Sequence, residues 1–135
     1  MLEVIYVLEA LRIFAKDAHY NFKGIDFKPL HEWMDEIEEP LADFIDDIKE
    51  QIVLRKGKEV PRGTAINQEA AFYVPTEIGN TNEEILKNVR ALVAMAHQTI
   101  NAEDWKSQGD GDLMGRIDAH LQKQLGLLQL ALGDK

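Results

Sequence analysis

Two histidines and three carboxylates carry the strongest chemical signal in this 135-residue chain: His19, His31, Asp35, Asp46 and Glu50. His31 and Asp35 stand four apart, as do Asp46 and Glu50, the spacing of neighbours on a helix surface. On one helix, at about 100° per residue, positions 31, 35, 46 and 50 fall at about 0°, 40°, 60° and 100°, inside one sector. Two imidazoles and three carboxylates make a mixed nitrogen and oxygen donor set that suits iron(II), with zinc or manganese as substitutes. Height along the helix decides how they meet. The centres of the two pairs lie 15 residues apart, roughly 22 Å at about 1.5 Å per residue, too far for one ion to bridge. Two copies packed antiparallel about a two-fold axis set each pair against the other pair of the mate, giving two equivalent sites. His19 lies five residues before Gly24 and His31 seven after, so a helical hairpin turning there holds both imidazoles at similar heights. A di-iron site within one bundle needs Glu-x-x-His pairs, and the chain contains none.

The elements that must position these groups are helical. Residues 2–22 place Leu2, Ile5, Leu8, Leu11, Phe14, Ala15 and Ala18 on one face, with Gly24 as a stop. A second helix over 28–56 carries Leu30, Met34, Ile37, Leu41, Ile45, Ile48 and Ile52. Pro40 bends it without changing the phase of the apolar stripe, so one continuous helix is expected. Residues 57–80 are punctuated by glycine and proline, with room for a short helix over Thr64–Tyr73. Thr81 and Glu84 form a capping box that opens a third helix through Ile100. After a polar stretch with Gly109, Asp110 and Gly111, a fourth helix aligns Leu113, Ile117, Leu121, Leu125, Leu128 and Leu132. The sum is an all-α four-helix bundle with a long connection between helices two and three, expected as a single domain over residues 1–135.

Composition narrows the chemistry. The chain has no cysteine, which excludes disulfides, thiolate-ligated zinc and cysteine nucleophiles. No apolar run is long enough to span a membrane, and no signal-peptide pattern opens the chain, so the expected location is the cytoplasm. The 24 acidic residues against 15 Lys and Arg, a net charge of −9, favour cations over polyanions as partners.

The residues resemble those of a known family. His19-Tyr20-Asn21-Phe22-Lys23-Gly24, Phe27, Leu30-His31-Glu32, Asp35, Asp46 and Glu50 are similar to the motif of the Dps miniferritins, whose pattern reads His-Trp-Asn-Val-x-Gly, Leu-His-Glu and an Asp four residues after that His. In that pattern an Asp and a Glu follow 11 and 15 residues after the first Asp, as Asp46 and Glu50 do here. Asp112-Leu113-Met114, Lys123 and Leu132-Gly133 extend the likeness through the last helix. The resemblance implies a ferritin-like bundle with a short extra helix in its long connection. It further implies a hollow dodecamer and ferroxidase sites at its two-fold interfaces. There Fe(II) is oxidised, by hydrogen peroxide and also by O2, and stored inside as ferric mineral, protecting against oxidative stress. His19, His31 and Asp35 would come from one subunit and Asp46 and Glu50 from its neighbour. Glu103, Asp110 and Asp112 are the candidates for an acidic pore admitting iron.

The chain departs from the family at Tyr20, where Trp is usual, at Gly126, where an aromatic is usual, and at Gln108, where an acid is frequent. DNA binding is expected to be weak: no Lys/Arg-rich extension flanks the helices, and the basic cluster Arg55, Lys56, Lys58 and Arg62 reads as solvated surface. Asp47 likewise reads as a surface charge, and His97 and His120 as structural. The competing reading is a catalytically idle helical assembly that protects or coats DNA or another partner.

Overall fold

Helix α1 (Leu2–His19) buries Ile5, Leu8, Leu11, Phe14 and Ala15 along one face, as the three- and four-residue spacing requires. The computed structural model describes residues 1–133, so the last two residues of the expected domain, Asp134 and Lys135, lie outside the described residues. Helix α2 (Phe27–Glu50) follows, then a π-helical turn (Gln51–Arg55), α3 (Gly63–Ala71), α4 (Asn82–Asn101) and α5 (Gln108–Ala131). No strand occurs among the described residues, and none of their helices is long and apolar enough to cross a membrane. α1 packs on α2, α3 and α4, while α5 closes the bundle against α4 and α2. One apolar core results, with Phe14, Met34, Ile37, Leu41, Ile48, Leu92 and Met114 fully enclosed. Each such side chain contributes about 1.5–3 kcal/mol through removal from water.

Helix α1 ends three residues earlier than its periodicity predicts, for a local reason. The Asn21 side chain donates to the Asp17 carbonyl at 2.6 Å, the acceptor that a continuing helix would give to the Asn21 amide. That amide turns to Ala18 instead. The chain then passes through Gly24 at φ +84°, a left-handed conformation that glycine adopts without strain. Arg12 ties the resulting hairpin together, reaching Glu9 on α1 at 2.9 Å and Glu38 on α2 at 3.5 Å.

Pro40 lies inside an unbroken α2, as expected. One turn before it, the Ile37 carbonyl accepts a bond from His120 Nε2 at 3.1 Å, and Trp33 donates to the buried Gln124 at 2.8 Å; both contacts fasten α2 to α5. The Thr81 capping box forms: the Thr81 hydroxyl accepts from the Glu84 amide, and the Glu84 carboxylate accepts from the Asn80 amide. Helix α5 begins five residues before the predicted Leu113. The Ser107 hydroxyl caps the Asp110 amide at 3.0 Å and starts the helix inside the glycine-containing stretch.

Candidate metal centre

His19 and His31 meet face to face across the hairpin, their ring centroids 3.4 Å apart and their planes 23° from parallel. Each Nδ1 bonds the other's backbone: His19 Nδ1 to the His31 carbonyl and His31 Nδ1 to the His19 carbonyl, both at 2.6 Å. A carbonyl only accepts, so each Nδ1 carries a proton, and in the neutral ring that leaves the lone pair on Nε2. Among the described residues no buried side-chain nitrogen or oxygen lacks a partner, and neither Nε2 has one, so both lone pairs reach solvent. This is the tautomer in which histidine ligates a metal through Nε2 while its other nitrogen is held.

Asp35 completes the cluster, with Oδ1 3.3 Å from His19 Nδ1 and 3.6 Å from Lys16 Nζ. Tyr20 sets its ring edge-on to His19 at 4.8 Å, and Phe27 stacks on His31 at 4.9 Å. His19 itself is only 6 % exposed. The structure therefore gathers three of the five sequence candidates in one place.

The other two sit together elsewhere. Asp46, Asp47 and Glu50 bring one carboxylate oxygen each within 4.8 Å of the others near the C-terminal end of α2. Repulsion from Asp46 holds the Glu50 carboxyl above the usual range, with Asp47 adding to it. Such a group gives up its last proton readily to a cation that relieves the repulsion. Asp47, read from the sequence as a surface charge, stands beside the other two at i,i+3 from Glu50. Because 15 residues of one helix separate the pair centres, the histidine cluster and the acidic cluster lie roughly 22 Å apart within a chain.

The three pore candidates do not share a surface. Glu103 and Asp110 face a cavity of about 520 Å³ with Lys56, Trp105 and Lys106. Asp112 lines a separate groove with Asp47, Glu50, Arg55 and Arg116. Asp110 is buried, and both of its oxygens are engaged within the chain, by Gln51 at 2.9 Å and Lys56 at 2.8 Å. Burial alone would raise its pKa, but these bonds outweigh it and hold the carboxyl below its ordinary value. His97 is structural: its Nδ1 lies 2.6 Å from Asp118, a buried carboxylate that also accepts from Asn101 and Gln122.

Four long helices, a short helix in the connection between α2 and α4, and a ligand-type hairpin define a ferritin-like bundle. No family model matches the chain. General stress protein 20U of Bacillus subtilis (strain 168) is 30% identical over 121 residues, which span 85% of this chain and 82% of that protein. Solved structures agree on the fold. Antigen TpF1 from Treponema pallidum superposes with a TM-score of 0.81 at 24% identity, covering 97% of this chain and 87% of its own. Dps from Thermosynechococcus elongatus gives 0.79 at 19% identity, over 96% and 90% of the two chains. A Dps variant from Listeria innocua gives 0.80 at 14% identity, over 97% and 89%. The chain belongs to the family of General stress protein 20U and has the Dps-type, ferritin-like fold.

Proposed function

We propose that this protein is a Dps-type ferroxidase. It binds Fe(II), its substrate, at sites that two copies complete together and oxidises it there. Ferric mineral is then stored inside a hollow dodecamer in the cytoplasm, which protects against oxidative stress. The observation that carries this reading is the reciprocal pair of bonds between His19 and His31, which leaves both Nε2 atoms without an internal partner in a hairpin where Asp35 also lies against His19. Asp46 and Glu50 of a two-fold mate would supply the remaining donors, since one chain keeps its two clusters far apart.

Exposed apolar side chains beside each cluster support the pairing. Ile25 is 96% exposed and Phe27 39% near the histidines, and Val53 and Leu54 are 48% and 77% exposed just beyond Glu50. Apolar groups left in water at both ends of the hairpin favour burial against another copy.

The chemistry follows from the donor set. Hard anionic carboxylates stabilise Fe(III) more than Fe(II), so the site favours loss of an electron. Two ferrous ions each give one electron to a molecule of hydrogen peroxide, its O–O bond breaks, and two protons complete two water molecules. Delivering both electrons at one place avoids release of hydroxyl radical; with O2 as oxidant the same site works more slowly. Peroxide added to protein loaded anaerobically with Fe(II) should produce the ultraviolet absorbance of ferric oxide faster than in protein-free buffer. An unaccelerated reaction would leave only the idle protective assembly.

A further inference from the structure

We infer that Asp110 is a positioning residue for Glu50, acting through the π-helical turn that links α2 to α5. The inference rests on the ferroxidase reading above and extends it to a residue that touches neither the histidines nor the iron-binding carboxylates. Glu50 is the last residue of α2, exposed to solvent, and the π-helical turn Gln51–Arg55 follows it directly. A π-turn admits one extra residue per helical turn and is rarely stable without outside support. Here Ile52 is buried in the core and its carbonyl accepts from the Lys58 amide, and one carboxylate reaches both ends of the turn. Asp110 Oδ1 accepts from Gln51 Nε2 at 2.9 Å, at the first residue of the turn. Oδ2 accepts from Lys56 Nζ at 2.8 Å, one residue past the turn's end. Asp110 thus clamps the turn at both ends across chain separations of 59 and 54 residues.

Asp110 is itself fixed. It is 6 % exposed, and its amide is capped by the Ser107 hydroxyl at the start of α5. Gly109 lets the two elements approach: a Cβ there would run into Arg55 Nη1 and stand 3.2 Å from Gln51 Nε2. Arg55 is the last residue of the turn, so both of its ends lie against the first turn of α5. The consequence falls on Glu50. Its backbone is covalently joined to Gln51, and its side chain stands beside the repelling Asp46 and Asp47. An exposed glutamate positions a metal well only when its backbone does not wander, and the clamp fixes that backbone.

A double-mutant cycle on the full-length assembled protein separates positioning from general stability. Fe(II) is titrated anaerobically by calorimetry into the parent, Asp110→Asn, Glu50→Gln and the double variant, with assembly checked by size-exclusion chromatography. Asn keeps the bond from Gln51 but loses the charge of the Lys56 pair. Loss of a partner bonded directly to a metal ligand weakens binding roughly 10- to 100-fold; Asp110 acts one step further out, through the backbone, so Asp110→Asn should lower Fe(II) affinity by about ten-fold when Glu50 is present. In the Glu50→Gln background the same change should cost nothing further. Equal loss in both backgrounds, or no loss in the parent, overturns the positioning role while leaving the iron site intact. Unchanged binding in Glu50→Gln alone removes Glu50 from the site, and the inference falls with that reading. Should Asp110→Asn not assemble, Lys56→Met, which opens the same clamp from an exposed side chain, carries the cycle with the same expected pattern.

Discussion

Ionisation at individual residues sets how the proposed site responds to pH. Glu50 holds its proton above the ordinary glutamate value because Asp46 stands beside it, so protons compete with metal for this carboxylate earlier than for an isolated one. Fe(II) affinity, measured by anaerobic titration, should therefore begin to fall as pH drops toward that raised value, while Asp46→Asn lowers the Glu50 value toward the ordinary range, as carboxyl chemical shifts followed against pH would report. Asp118 shows the opposite case. Bonds from Asn101, His97 and Gln122 outweigh its burial and hold it below the usual aspartate value. A depressed carboxylate adds stability that is present above the unfolded value of about 3.9 and is lost as pH falls through the folded one. Asp118→Asn should cost about 1–3 kcal/mol at neutral pH, the range for a charged hydrogen-bonding partner, and the difference should shrink below about pH 4. Urea denaturation at the two pH values measures it. The candidate ligands were legible as residue types at helical spacing. The bonds that fix their tautomer were not, because each runs from a ring to a backbone carbonyl on the opposite arm of a hairpin.

Among the helices, periodicity carried most of the information. The apolar stripe of α2 keeps its phase through Pro40, and the helix is continuous there, since a lost N–H at one position is outweighed by burial at Ile37, Leu41, Ile45 and Ile48. Two features escaped that reading for different reasons. The start of α5 is set by the Ser107 cap rather than by apolar spacing, and Ser107 with Asp110 three residues later was a readable sign of it. The π-turn had no local sign, because what stabilises it is an aspartate more than fifty residues further along. Caps give a direct check of local energetics. Thr81→Ala should destabilise by about 0.5–2 kcal/mol, read from the thermal or urea midpoint. Gly24→Ala should cost about 1–2 kcal/mol through backbone strain alone, because φ is +84° and no atom lies within 4 Å of the added methyl.

If two copies complete the proposed site, the two clusters behave as one functional unit. Asp46→Ala/Glu50→Ala should slow peroxide-driven Fe(II) oxidation as severely as His31→Ala, by about ten-fold or more, although the changes lie far apart along α2. Mixing the two defective chains during refolding gives a sharper test. In a mixed two-fold pair one site collects both defects and the other collects none, so random mixing should restore about a quarter of the intact sites. Sites confined to a single chain would regain nothing. Repeated copies at −9 each build a polyanionic shell, so no retardation of duplex DNA is expected in about 0.15 M salt.

The separation of the two clusters on α2 makes the chemistry conditional on encounter. Under the proposed function, a solitary polypeptide would offer iron only a histidine half or an acidic half, neither a complete catalyst. Below the dissociation constant for pairing, the oxidation rate should rise with the square of protein concentration, so dilution alone switches the reaction off. Under the proposed function, such a dependence would spare the cell an oxidising centre working before there is a compartment to receive its insoluble product.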